Sequence, residues 1–286
     1  MASTYLTLVN NVLRDFNEVE LTSSNFGSSR GVQTTVKDYI NRSITDLINS
    51  ELNWPFTQAT GSIDVIAGKQ LYSHTSIAST LKYVDYDNMF LKPKNYITNG
   101  TYEVSGSASI TGWTTVSGSP AASSKFGNTL LLTSAKVTQE ISDLIVGRSY
   151  IILTQTSGGT LTLDVGTSSG GSQTKSATLT VSNANEVSLN ETTFTATAIT
   201  HFVSFTEAAG SAAYVKLIEL SENIEPIPLK YLSYEEYNER YRERDNRLDT
   251  DKFADPEYVY TTYNDEIGLT PIPDTSNRTL EFDYYV

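Results

Sequence analysis

Between Asn95 and Glu222 the sequence changes character in a way that leaves little choice of fold. The stretch is rich in Ser, Thr and Gly, poor in charge, and broken into short β-forming runs. These are Ser109–Ile110, Thr129–Leu132, Val137–Ile141, Tyr150–Gln155, Thr160–Val165, Ala177–Val181, Glu186–Leu189, His201–Phe205 and Ala213–Leu220. Gly- or Ser-rich turns separate them at about ten-residue spacing, and no run repeats with the 3.6-residue period of a helix. Many short strands with regular turns describe a β-sandwich.

The sequence on either side reads differently. Val32, Val36, Tyr39, Ile40, Ile44, Leu47, Ile48 and Leu52 recur at three- and four-residue spacing, which predicts a long amphipathic helix over Val32–Asn53 with one buried stripe. Trp54-Pro55 ends it, because a residue before proline avoids helical backbone. A first helix is expected over Tyr5–Asn17, with Leu6, Val9, Leu13 and Phe16 on one face. Period-two alternation then predicts a hairpin from Ser62–Ile66 and Lys69–Ser73 around Ala67-Gly68. Ser233 followed by Glu236 is a capping box that starts a helix at Tyr234, and the last strand is Thr279–Val286. These readings predict an α+β fold class: a helical core with a small antiparallel sheet, residues 1–94 and 223–286, interrupted by an all-β insertion at 95–222.

Composition removes several classes of function. With no cysteine, disulfides and thiolate metal sites are impossible. The two histidines, His74 and His201, are far apart in sequence and have no cluster of partners, so neither a triad nor a histidine zinc site is expected. No apolar run reaches the roughly 20 residues of a membrane span, and the N-terminus lacks the basic and apolar regions of a signal peptide. No membrane partner is expected. A net charge of −13 opposes tight wrapping of phosphates and suits a surface past which nucleic acid slides.

Catalytic motifs are equally scarce. Glu235, Glu236, Glu239 and Glu243 offer paired carboxylates, but Arg240, Arg242, Arg244 and Arg247 alternate with them on the same predicted helix. Glu236 with Arg240 and Glu243 with Arg247 are i,i+4 pairs, so a solvated or subunit-facing ion-pair surface is the stronger reading. No phosphate-binding glycine loop, HExxH or GxSxG pattern occurs. The chain is expected to be no enzyme and to need no cofactor.

The outer segments resemble the head-to-tail adaptor proteins of short-tailed bacteriophages, also called tail tubular protein A or gatekeeper proteins. The resemblance lies in TLVNNVLRDFNEVELT, the long helix ending in Trp54-Pro55-Phe56, SIDVIAGKQLYS, LKYLSYEEYNERYRE, PEYVYTTYNDEIGLTPIPD and RTLEFDYYV, in that order. It implies a virion structural protein, assembled in the host cytoplasm into a ring of twelve copies. That ring would lie between the portal protein and the tail nozzle protein, with DNA passing through its bore without sequence-specific binding. In that family the C-terminal segment contacts the portal, which points to Tyr284, Tyr285 and Val286 as the docking residues and to Glu236, Arg240, Glu243 and Arg247 as intersubunit ion pairs.

The insertion resembles a carbohydrate-binding jelly roll. Tyr96–Glu103, the Gly112-Trp113 pair, Val137–Gly166 and AAYVKLIELSE carry the likeness. It implies contact with tail fibres or host glycans, and an alternative function as a carbohydrate-binding protein acting through the insert. Trp113 is then either a glycan contact or, as is usual for the Trp of that pair, a core residue. Such modules often hold a structural calcium with an acidic residue in the last strand, where this sequence has Lys216.

Overall fold

The computed structural model describes residues 4–50, 55–73, 81–102, 110–179, 185–245, 256–262, 264 and 266–286. In chain order these form helices α1 (Tyr5–Asp15) and α2 (Val32–Ser50), then strands β1 (Gln58–Asp64), β2 (Leu71–Ser73) and β3 (Tyr83–Pro93). Ten strands follow: β4 (Thr114–Ser117), β5 (Ala121–Ser123), β6 (Thr129–Leu132), β7 (Ala135–Ile141), β8 (Ser149–Gly158), β9 (Leu161–Gly166), β10 (Lys175–Leu179), β11 (Ser188–Thr195), β12 (His201–Glu207) and β13 (Ala213–Glu222). The chain closes with β14 (Ile227–Pro228), β15 (Lys230–Leu232), helices α3 (Tyr234–Arg240) and α4 (Arg242–Asp245), and strands β16 (Tyr258–Thr261), β17 (Glu266–Thr270) and β18 (Arg278–Tyr285).

Two compact units emerge: Met1–Gly61 with Thr75–Asp85 and Asp283–Val286, and Ser62–His74 with Tyr86–Phe282. In the first, α1 packs on α2 through Val9, Leu13, Leu21, Val36 and Ile40. The Thr4 side chain caps α1 by accepting from Thr7 N–H. Asn10 fixes the connection by both donating to and accepting from the backbone of Leu21 at 2.8 Å. Of the α2 stripe only Val36 and Ile40 are fully buried among the described residues. Val32, Tyr39, Ile44 and Leu47 are exposed, so the helix is not the fully packed spine that its periodicity predicts.

The second unit holds the sandwich. Its sheets run β10-β9-β12-β7-β4 and β11-β8-β13-β6-β5, and all their pairings are antiparallel. Leu163, Val137 and Phe205 of the first sheet share one core with Ile152, Val215 and Leu130 of the second. Alternation explains this: each strand turns every second residue inward. Outside the sandwich, β16 pairs antiparallel with β17 and parallel with β15, while β17 also pairs with β2. Tyr260 stacks on Tyr237 of α3 with centroids 3.8 Å apart.

The α+β reading with a helical adaptor core is corrected here. Among the described residues strands account for 44% and helices for 18%. The outer segments contribute two four-stranded sheets rather than one small antiparallel sheet. Tyr83–Pro93 is one strand of 11 residues, and α3 stops after seven. The hairpin expected from Ser62–Ile66 and Lys69–Ser73 does not form. β1 neighbours β18, β2 neighbours β17, and Val65 N–H donates to Arg278 O. The turn itself closes, with Lys69 N–H donating to Ile66 O at 3.0 Å, but the strands on either side of it pair with partners from the far end of the chain.

Candidate functional site on the outer face of the sandwich

The register of the first sandwich sheet determines which side chains share its outer face. Ser176 lies opposite Asp164, Asp164 opposite Ser204, Ser204 opposite Thr138, and Thr138 opposite Thr114. One continuous row of four hydroxyls and a carboxylate therefore crosses all five strands. A second row places Thr178, Thr162, Thr206 and Lys136 side by side. A third sets Phe202 between Gly166 and Glu140.

These groups form a connected polar network. Asp164 accepts from Ser176 Oγ at 2.7 Å and from Lys136 Nζ at 3.3 Å. Ser204 donates to Thr138 at 2.9 Å, and Thr138 to Val203 O at 3.3 Å. Among the described residues Thr206 Oγ1 is buried without a hydrogen-bond partner. Although they point away from the core, Ser204 is 0%, Thr138 2% and Asp164 7% exposed. The loop Thr167–Thr174 reaches across this face. Gly170 O accepts from Lys136 Nζ at 2.6 Å, and a Cβ on Gly170 would stand 3.4 Å from Val116 of β4. Since β12 lies between β9 and β7, a loop that leaves β9 and reaches both β7 and β4 passes over β12.

The predicted site residues fall elsewhere. Trp113 is half-buried and packs its ring on Tyr102 (5.6 Å) and Phe205 (5.8 Å), on the core side of the sheet. Lys216 is exposed at a bulge in β13, and among the described residues no three His, Asp or Glu side chains gather as metal ligands. His201 is buried with its ring tilted against that of Phe194 at 5.6 Å, and burial lowers its pKa. His74 and Arg247 lie outside the described residues. Glu236 and Arg240 form an ion pair at 2.9 Å within one chain, beside an exposed Glu243. Tyr284 and Tyr285 are half-buried near the end of β18. The Tyr285 ring lies 6.2 Å from that of Tyr83, and Val286 N–H donates to Thr57 O.

Sequence reading missed Asp164, Lys136, Ser204 and Thr138. Their signal was the polar half of the alternation in Lys136-x-Thr138-x-Glu140, Thr162-x-Asp164 and Phe202-x-Ser204-x-Thr206. The strand order that joins them into rows is not local information.

No family model and no curated protein matches the chain. Solved structures do. One is the enzymatically active domain of tailspike protein 4 of bacteriophage CBA120, at 15% identity and a TM-score of 0.37, with 45% of this chain and 21% of that chain covered. Another is TmCBM61 in complex with β-1,4-galactotriose, at 15% identity and a TM-score of 0.34, with 46% and 99% covered. A third is the CBM22-1 xylan-binding domain of Paenibacillus barcinonensis Xyn10C, at 10% identity and a TM-score of 0.36, with 46% and 95% covered. The similar structures include carbohydrate-binding modules, a phage tailspike domain and an α-L-arabinofuranosidase. The chain spans about a fifth of the tailspike structure that it matches.

Proposed function

We propose that the sandwich binds carbohydrate across the outer face of the β10-β9-β12-β7-β4 sheet, and that it binds without catalysis. The observation that carries this is the row Ser176, Asp164, Ser204, Thr138 and Thr114, flanked by the ring of Phe202. A sugar presents hydroxyls around an apolar C–H face. It is held by a carboxylate that accepts, hydroxyls that both donate and accept, and a ring on which the C–H face rests. The three kinds of group occur together on this sheet. The test is a glycan array probed with the full chain. Retention of a defined glycan class by the wild type and its loss in Asp164→Ala supports the reading, and an empty array ends it.

A second reading concerns the chain around the sandwich. The ordered motifs of the outer segments support a head-to-tail adaptor of a phage virion, in which copies form a ring on the portal protein and above the nozzle protein, around the DNA. One observation favours it: Tyr39 is 64% and Ile44 40% exposed on α2, an apolar face that a neighbouring copy would cover. Electron microscopy of the chain mixed with the portal of its phage tests this. Closed rings stacked on the portal support it, and a monomer that ignores the portal counts against it.

A further inference from the structure

We propose that the loop Thr167–Thr174 is a lid over the carbohydrate site, latched by Lys136, and that it must lift for ligand to reach Asp164, Ser204 and Thr138. This rests on the reading of the sheet face as a glycan site. The loop has the build of a movable element held at a few points. Its base is closed by Thr174 N–H on Val165 O (3.0 Å) and stiffened by Gln173, whose side chain accepts from Thr167 N–H (3.2 Å) and donates to Ser168 Oγ (3.0 Å). Its tip is Gly170-Gly171, with Gly170 at φ +71°, where only glycine bends at little cost. Lys136 Nζ fastens that tip at 2.6 Å and with the same ammonium reaches Asp164. Lys136 therefore spans β12 and bridges lid and floor. On the strand it crosses and the one beside it, Ser204 and Thr138 are almost wholly covered although they point away from the core.

The chain has no cysteine, so an engineered disulfide can lock the lid reversibly. Val116 Cγ1 stands 3.4 Å from the position of a Cβ on residue 170, within reach of a Val116→Cys/Gly170→Cys bridge. With a glycan identified on the array, the oxidised variant is expected to bind at least ten times more weakly than the same protein after reduction. Equal binding in both states overturns the lid while leaving the glycan reading intact. If the wild type retains no glycan, the glycan reading fails and the lid with it. Lys136→Met supplies a readout that needs no ligand. Hydrogen exchange within 168–173 is expected to rise at least tenfold with β7 and β12 unchanged, and unchanged exchange in the loop overturns the latch.

Discussion

The side-chain amide of Asn277 donates to the buried carboxylate of Glu222, and the backbone carbonyl of the same Asn277 accepts from Lys94 N–H at 2.8 Å. Lys94 is the last residue before the sandwich sequence and Glu222 ends its final strand, so one residue just ahead of β18 ties both crossings. Arg148, on the turn before β8, completes the arrangement with an ion pair to Glu222 at 3.3 Å. Arg148, Glu222 and Asn277, together with Asp274, Thr275 and Arg278, line a polar cleft of about 150 Å³.

Asn277→Ala removes one of the two ties. Glu222 is 2% exposed, and among the described residues its carboxylate would keep only the guanidinium of Arg148, whose side chain is 57% exposed. Leaving a buried carboxylate short of a donor costs about 1–3 kcal/mol. The expected result in urea unfolding is a lower midpoint with an unchanged slope. A midpoint equal to that of the wild type would show that the Lys94 bond alone suffices.

Glu207 carries a pH dependence with a definite sign. Burial pushes its carboxyl up, but the N–H groups of Ser134, Ala209, Ser211 and Gly210 donate to it and together hold it below the ordinary value. A depressed folded pKa contributes stability that is fully present above the unfolded value of about 4.3 and is lost as pH falls through the folded value. Glu207→Gln should therefore be less stable than the wild type at pH 7, and the gap should close on acidification below pH 4. Thermal melts at pH 7, 5 and 3 check this, and a gap that stays constant or widens in acid contradicts it.

The stacked tyrosines impose a steric demand on the neighbouring strand. A Cβ at Gly268 would lie 2.2–2.5 Å from the ring of Tyr260, which is 2% exposed and stacked on Tyr237. Neither ring has room to retreat, so Gly268→Ala should cost about 1–3 kcal/mol by overpacking. Calorimetry of the single variant reads the loss. Adding Tyr260→Leu, which frees the space, should recover part of it.

On the sandwich face, Phe202→Ala and Asp164→Asn remove different halves of sugar recognition. The first takes away the ring under a C–H face, and the second converts an acceptor-only carboxylate into an amide. Each should weaken glycan binding at least about tenfold, or about 1.4 kcal/mol. Titration calorimetry with the glycan from the array measures it. Trp113→Phe should leave affinity within about twofold, because Trp113 packs against Phe205 on the core side.

How much of this was legible depends on whether the information is local. The runs at Thr129–Leu132, His201–Phe205 and Ala213–Leu220 are strands because their inward residues recur at period two, and the expected β6 coincides with the observed one. β4 and β5 escaped notice because they are short, and Ala121-Ala122-Ser123 has no alternation to detect. The Ser233 cap is read directly from sequence, since the Ser233 side chain accepts from Glu236 N–H three residues on. The pairing of β1 with β18 joins opposite ends of the chain, and no periodicity encodes it. The polar rows failed for the same reason. Asp164 and Ser204 each alternate correctly, but only the β9-β12-β7 order makes them neighbours. The α2 stripe was read correctly as apolar, but apolarity does not determine whether the cover comes from the same chain.

That last ambiguity can be tested. Val36 and Ile40 are buried against α1, whereas Tyr39 and Ile44, on the same helix, face outward. If a second copy covers them, placing carboxylates there should separate the copies without touching the fold of one chain. Tyr39→Glu/Ile44→Glu is expected to keep its melting behaviour, since exposed substitutions change stability by about 0.5 kcal/mol or less. Its mass by light scattering should drop to that of one 31.5 kDa chain under conditions where the wild type forms a larger species. A wild type that is already monomeric in the presence of portal would remove α2 as an assembly face. A variant that still assembles would move the interface elsewhere on the chain.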